Sequence, residues 1–95
     1  MSKIVSRDAY LALAKIIEDA RRDAGLTQTE LGARMGVGQK FISMIEIGGR
    51  RVDALELLAF ERALGLEKFA LLKRVLMCGD RRKAQSSTEI RSKMA

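Results

Sequence analysis

The sequence contains no histidine and no proline, and one cysteine, Cys78, among its 95 residues. Without histidine there is no imidazole to carry protons near neutral pH, no Cys/His nucleophile pair within one chain and no Cys/His zinc site. The Asp, Glu and Lys that remain form no recognisable catalytic grouping, so the chain does not read as an enzyme, and no cofactor or metal is implied. A lone cysteine argues against a disulfide framework and fits a reducing cytoplasm. Near a helix end it reads as a small hydrophobe. The lack of proline removes the commonest helix breaker. No apolar run approaches the ~18 residues that span a bilayer, and the first ten residues hold no apolar stretch of signal-peptide length.

What is present narrows the reading. A chain of this length folds as one domain, and an apolar content of 47% is that of a globular protein. Eighteen Lys and Arg stand against twelve Asp and Glu, a net charge of +6. That balance favours a polyanionic partner, nucleic acid or an anionic membrane face, but no amphipathic basic helix of the membrane-surface kind is present. The excess is uneven. Residues 27–52 carry four basic and two acidic side chains, residues 80–95 five and two, and residues 53–79 balance.

The glycines divide the chain into five segments, each short enough for one helix. The first, about Asp8 to Ala24, places Leu13, Ile16, Ile17, Ala20 and Ala24 on one stripe. The second opens on Thr27-Gln28-Thr29-Glu30, a capping box, and ends at Gly36 after about eight residues. Helices that short survive by packing against neighbours. The third runs from about Gly38 to Ile47, with Ile42 and Ile45 on one side and Gln39, Lys40, Ser43, Met44 and Ile47 on the opposite arc. Asp53 caps a fourth helix to Leu64, and a fifth from about Glu67 to Met77 carries Phe69, Leu72 and Leu76. These segments predict an all-α, five-helix domain over residues 1–79, followed by a loose, basic, flexible tail over 80–95.

Two short helices joined by a tight glycine-containing turn, the second with a polar outer face, make a helix-turn-helix over about residues 27–47. A helix that reads the major groove must offer groups matching base edges, and the amino end of the helix before it suits a phosphate. Gly32, the one glycine inside a segment, lets the two helices approach closely.

The stretch Ala20 to Leu66 resembles the Cro/lambda-repressor-type (XRE-like) helix-turn-helix family. The shared elements are Arg21, Gly25, Leu26-Thr27-Gln28, Leu31, Gly36-Val37, Ile42-Ser43, Glu46, Gly48 and Ala63-Leu64-Gly65, in that order over about half the chain. The resemblance implies double-stranded DNA as partner and a transcriptional regulator of bacterial or phage type, read as a repressor working in the cytoplasm. It implies base contacts from Gln39, Lys40, Ser43, Met44 and Phe41, although core packing is the commoner fate of a residue placed like Phe41. Phosphate contacts are implied for Gln28, Thr27, Arg50 and Arg51, with Gln28 also bracing Gln39. Arg21 and Glu46 correspond to a structural ion pair. Three departures stand out: Gly38 replaces the usual Ser or Thr cap of the third helix, Ile47 replaces an often polar residue suited to backbone contact, and Glu61 replaces a packed alanine, which calls for a rotated fourth helix or a cationic neighbour.

The fifth segment has more apolar residues than one stripe needs. Leu71, Val75 and Met77 are therefore candidates for a dimer interface, and a homodimer would meet a pseudo-palindromic operator with half-sites about 34 Å apart. Two rival readings are an antitoxin-type regulator whose tail or fifth helix also binds a partner protein, and an interaction module that no longer binds DNA.

Overall fold

The computed structural model describes residues 7–80, with no account of the side chains of 78–80. The described residues form five helices and no strand: α1 (Arg7–Asp23), α2 (Gln28–Met35), α3 (Gln39–Glu46), α4 (Ala54–Leu64) and α5 (Ala70–Asp80). The Cys78 side chain, the Arg81-Arg82-Lys83 cluster and the tail beyond Asp80 lie outside the described residues.

The helix boundaries follow from local chemistry. At α2 the Thr27 hydroxyl accepts the Glu30 N–H at 3.0 Å while the Glu30 carboxylate accepts the Thr27 N–H at 2.8 Å, the reciprocal arrangement that the sequence predicts. The helix stops at Gly36, whose φ of +75° is the left-handed geometry a glycine adopts without strain. Asp53 and Glu56 form a second capping box at α4. Gly38 caps α3 with no side-chain bond.

Apolar residues from all five helices meet in one core, in which Phe60, Ile17, Leu31, Ile42, Ile45 and Leu71 are the largest fully buried side chains. Ala24, assigned to the α1 stripe, is exposed instead. At Gly32 a Cβ would lie 2.7 Å from the Val37 carbonyl oxygen, so only a glycine lets α2 sit this close to the turn that leads into α3. The close approach expected from the sequence is thus made to the turn backbone.

The fifth helix differs from its sequence reading. It starts at Ala70 rather than Glu67, because Phe69 has left-handed backbone with φ +67°. That change of phase turns Leu71 fully into the core and half-buries Val75, while Phe69, Leu72, Leu76 and Met77 face outward. Leu71 is therefore a core residue, not an interface residue, and the stripe Phe69, Leu72, Leu76 is an outer one.

Glu61 explains the late start. Buried to 2% exposure, its carboxylate has no ion-pair partner among the described residues. Its oxygens accept the backbone N–H groups of Phe69 at 2.8 Å and Leu71 at 2.9 Å. Free N–H groups and partial positive charge at a helix amino end supply what a buried carboxylate needs, so a side chain of α4 caps α5.

Candidate nucleic-acid interface

The helix-turn-helix is anchored by Arg21 at the end of α1. Its guanidinium donates to Glu46 of α3 through Nε at 2.6 Å and Nη2 at 3.1 Å, and through Nη1 to the Leu26 carbonyl at 2.7 Å. The two side chains are only 9% and 3% exposed. The hydrogen bond to Glu46 holds the Arg21 pKa above its ordinary value against the opposing effect of burial. A buried pair of this kind is costly to break, at about 3–5 kcal/mol, because one charge is then left without a partner. It fixes α3 relative to α1 and to the start of α2.

The same carboxylate reaches the outer surface through two amides. Gln28, the first residue of α2, donates Nε2 to Glu46 Oε1 at 2.9 Å, and Gln39, the first residue of α3, donates Nε2 to Gln28 Oε1 at 2.5 Å. The expected brace between Gln28 and Gln39 is present, and it continues inward to the ion pair. Gln28 and Gln39 line one open cleft with Arg21, Arg22, the turn residues Gly25, Leu26 and Thr27, and Thr29 of α2. This cleft lies at the amino end of α2, where helix geometry favours an anion. Thr27 has its N–H taken by Glu30, which leaves its hydroxyl hydrogen as the donor it can offer.

Gln39 and Lys40 are exposed on α3, whereas Ser43, Met44 and Phe41 are half-buried. Phe41 packs against the core cluster and its ring carries the Arg50 guanidinium 4.5 Å above its centre. The Met44 methyl lies against Gly49. Gln39 and Lys40 thus stand out from the face, and the other three form its floor.

Arg50 and Arg51 differ in their surroundings. Arg50 makes a two-pronged pair with Glu56 at 2.9 and 2.8 Å and donates to the Arg51 carbonyl at 2.9 Å. The bond from Arg50, and next the Asp53 N–H, lowers the Glu56 pKa, while Glu56 raises that of Arg50. Arg51 stacks over Tyr10 at 4.9 Å and has no carboxylate partner among the described residues. The roles of Glu56 and Tyr10 go beyond the sequence reading. Glu56 was legible in part, since Asp53-x-x-Glu56 has capping-box spacing; a contact from residue 10 to residue 51 leaves no local signal.

Residues 17–71 match the family described as helix-turn-helix, so the chain belongs to that family, in its XRE-type branch, a class of DNA-binding regulators and not of enzymes. One relative, the HTH-type transcriptional regulator y4dJ of Sinorhizobium fredii, is 38% identical over 52 residues, which cover 55% of this chain and 68% of y4dJ. Among solved structures, an XRE-family-like protein from Pseudomonas syringae pv. tomato is 38% identical, with a TM-score of 0.71 over 80% of this chain and 93% of that one. The clp gene regulator ClgR from Corynebacterium glutamicum is 25% identical, with a TM-score of 0.70 over 85% of this chain and 86% of that one. Among the described residues, no helix is long and apolar enough to cross a membrane.

Proposed function

We propose that the chain is a sequence-specific double-stranded DNA-binding protein that represses transcription in the cytoplasm, with α3 lying in the major groove. The observation that carries this reading is the placement of Gln39. It stands exposed at the start of α3, held by one N–H to Gln28 of the preceding helix, with its second N–H and its oxygen left to pair with adenine N7 and N6. Lys40 reaches guanine or phosphate beside it, and Ser43, Met44 and Phe41 supply the shallower floor. Gln28, the Thr27 hydroxyl and Arg51 take phosphates, which set affinity and register without reading sequence. Arg50 reaches a phosphate only by giving up Glu56.

The outer face of α5 supports a homodimer on a pseudo-palindromic operator. Phe69, Leu72 and Leu76 recur at three- and four-residue spacing and are all more than 40% exposed. Phe69 also shares a groove with Leu58 and Leu66. Met77 extends this surface, Val75 lies at its edge and Leu71 is excluded from it. The binding domain spans residues 1–79, with the basic tail as an accessory.

Selection of bound fragments from random DNA tests the reading. Wild-type protein is expected to enrich a two-fold motif with half-sites about 34 Å apart, and Gln39→Ala to cost about 1–3 kcal/mol and relax one base position. An unchanged motif and affinity for Gln39→Ala would place the groove face elsewhere.

A further inference from the structure

We infer that Glu46, through Gln28, sets the order of donor and acceptor that Gln39 presents to DNA, and so selects adenine at that base. This inference rests on the DNA-reading role proposed for α3. An amide side chain can turn over, exchanging its oxygen and its nitrogen, and a turned Gln39 would present different chemistry to a base. In this protein the choice is made from the interior outward. Glu46 is a carboxylate paired with Arg21, so its oxygens only accept. The amide of Gln28 must therefore point its nitrogen at Glu46, as it does at 2.9 Å, which leaves its oxygen toward Gln39. Gln39 must answer with its own nitrogen, as it does at 2.5 Å. One N–H of Gln39 is spent on Gln28. Its second N–H and its oxygen then lie side by side on the free edge, one donor and one acceptor, the pair that adenine N7 and N6 require. Guanine offers two acceptors in the same place, and the Gln39 oxygen would oppose its O6.

Glu46 is thus a positioning residue that never touches DNA. Glu46→Gln offers one acceptor where there were two. Its oxygen takes the site of the shorter bond, to Arg21 Nε at 2.6 Å, and its nitrogen replaces the Oε1 that accepts from both Gln28 and Arg21 Nη2, so it faces Gln28 and gives up the longer arginine bond of 3.1 Å. Each amide in the series then turns over, and Gln39 presents N–H groups outward, toward the two acceptors of guanine. Gln28→Leu keeps the ion pair and frees the Gln39 amide to turn either way.

The test is selection from random DNA with wild type, Glu46→Gln, Gln28→Leu and Gln39→Ala, with thermal melting of each. The expected result is a shift from adenine to guanine for Glu46→Gln at the position that Gln39→Ala relaxes. Gln28→Leu should lose about tenfold of the discrimination at that position alone, within the range of one paired contact, on top of a uniform loss from its missing phosphate bond. A merely structural role for Glu46 would lower melting temperature and affinity for all sequences alike. Adenine preference retained in both Glu46→Gln and Gln28→Leu overturns the inference while the groove reading stands. If Glu46→Gln does not fold, Gln28→Leu decides alone. A Gln39→Ala motif identical to wild type removes the groove reading and this inference with it.

Discussion

Glu61 of α4 and Leu71 of α5 are joined by a hydrogen bond of 2.9 Å from the Leu71 N–H to the Glu61 carboxylate, inside the core. Its other oxygen takes the Phe69 N–H. One buried side chain therefore decides where the last helix begins and which of its faces turns inward. Glu61→Ala leaves both donors without their partner, and an unmade bond in the interior costs about 1–3 kcal/mol per group. Glu61→Gln keeps one acceptor and should lose about half as much. Urea unfolding of the two variants gives the comparison, and equal stability of Glu61→Ala and wild type would show that water replaces the carboxylate freely.

Much of this architecture is legible from spacing alone. The capping boxes, the left-handed stop at Gly36 and the Ile42/Ile45 inner face of α3 are local, and each is decided within four residues. The phase of α5 is different. Leu71 and Leu72 are chemically alike, and only the left-handed turn at Phe69, held by a carboxylate eight residues upstream, chooses between them. At the interface, Gln28, Gln39, Arg21 and Glu46 are recognisable from their order. The neutralisation of Arg50 by Glu56 and the stacking of Arg51 on Tyr10 depend on how the loop folds back, which no periodicity records.

Gly32 predicts a steric penalty. In Gly32→Ala the new methyl would meet the Val37 carbonyl oxygen at 2.7 Å and Gly38 backbone atoms at 3.2 Å. All of these belong to the turn between α2 and α3, and none is a flexible side-chain end. Alanine gains about 1 kcal/mol of helix propensity over glycine, but overpacking against fixed backbone costs typically 1–3 kcal/mol. Since the strain is relieved by spreading α2 from α3, we expect weaker DNA binding as well as no gain in stability. A binding titration alongside urea unfolding checks both. Wild-type affinity with raised stability would mean that the turn yields without moving α3.

The two faces of α5 should respond in opposite ways. Leu71 is fully buried, and Leu71→Ala is expected to cost about 2–5 kcal/mol of folding stability. Leu72 and Leu76 are 44% and 59% exposed. The double variant Leu72→Glu/Leu76→Glu should keep the monomer fold while placing like charges across a symmetric interface. Sedimentation should then show monomers where wild type shows dimers, with circular dichroism unchanged. A dimer that survives both glutamates would move the interface off this face.

Salt dependence separates the two loop arginines. Each phosphate contact contributes about 0.9 to the slope of log affinity against log salt. Arg51 has no carboxylate partner among the described residues, so Arg51→Ala should flatten the slope by about one unit and weaken all sequences alike. Arg50 is held by both Glu56 oxygens and by the Phe41 ring. To reach a phosphate it must abandon a pair that already neutralises it, and Arg50→Ala should change the slope less than Arg51→Ala does. Affinities measured over a range of potassium concentrations decide the order. If the two substitutions flatten the slope equally, the Arg50–Glu56 pair opens when DNA arrives, and the loop carries two phosphate contacts instead of one.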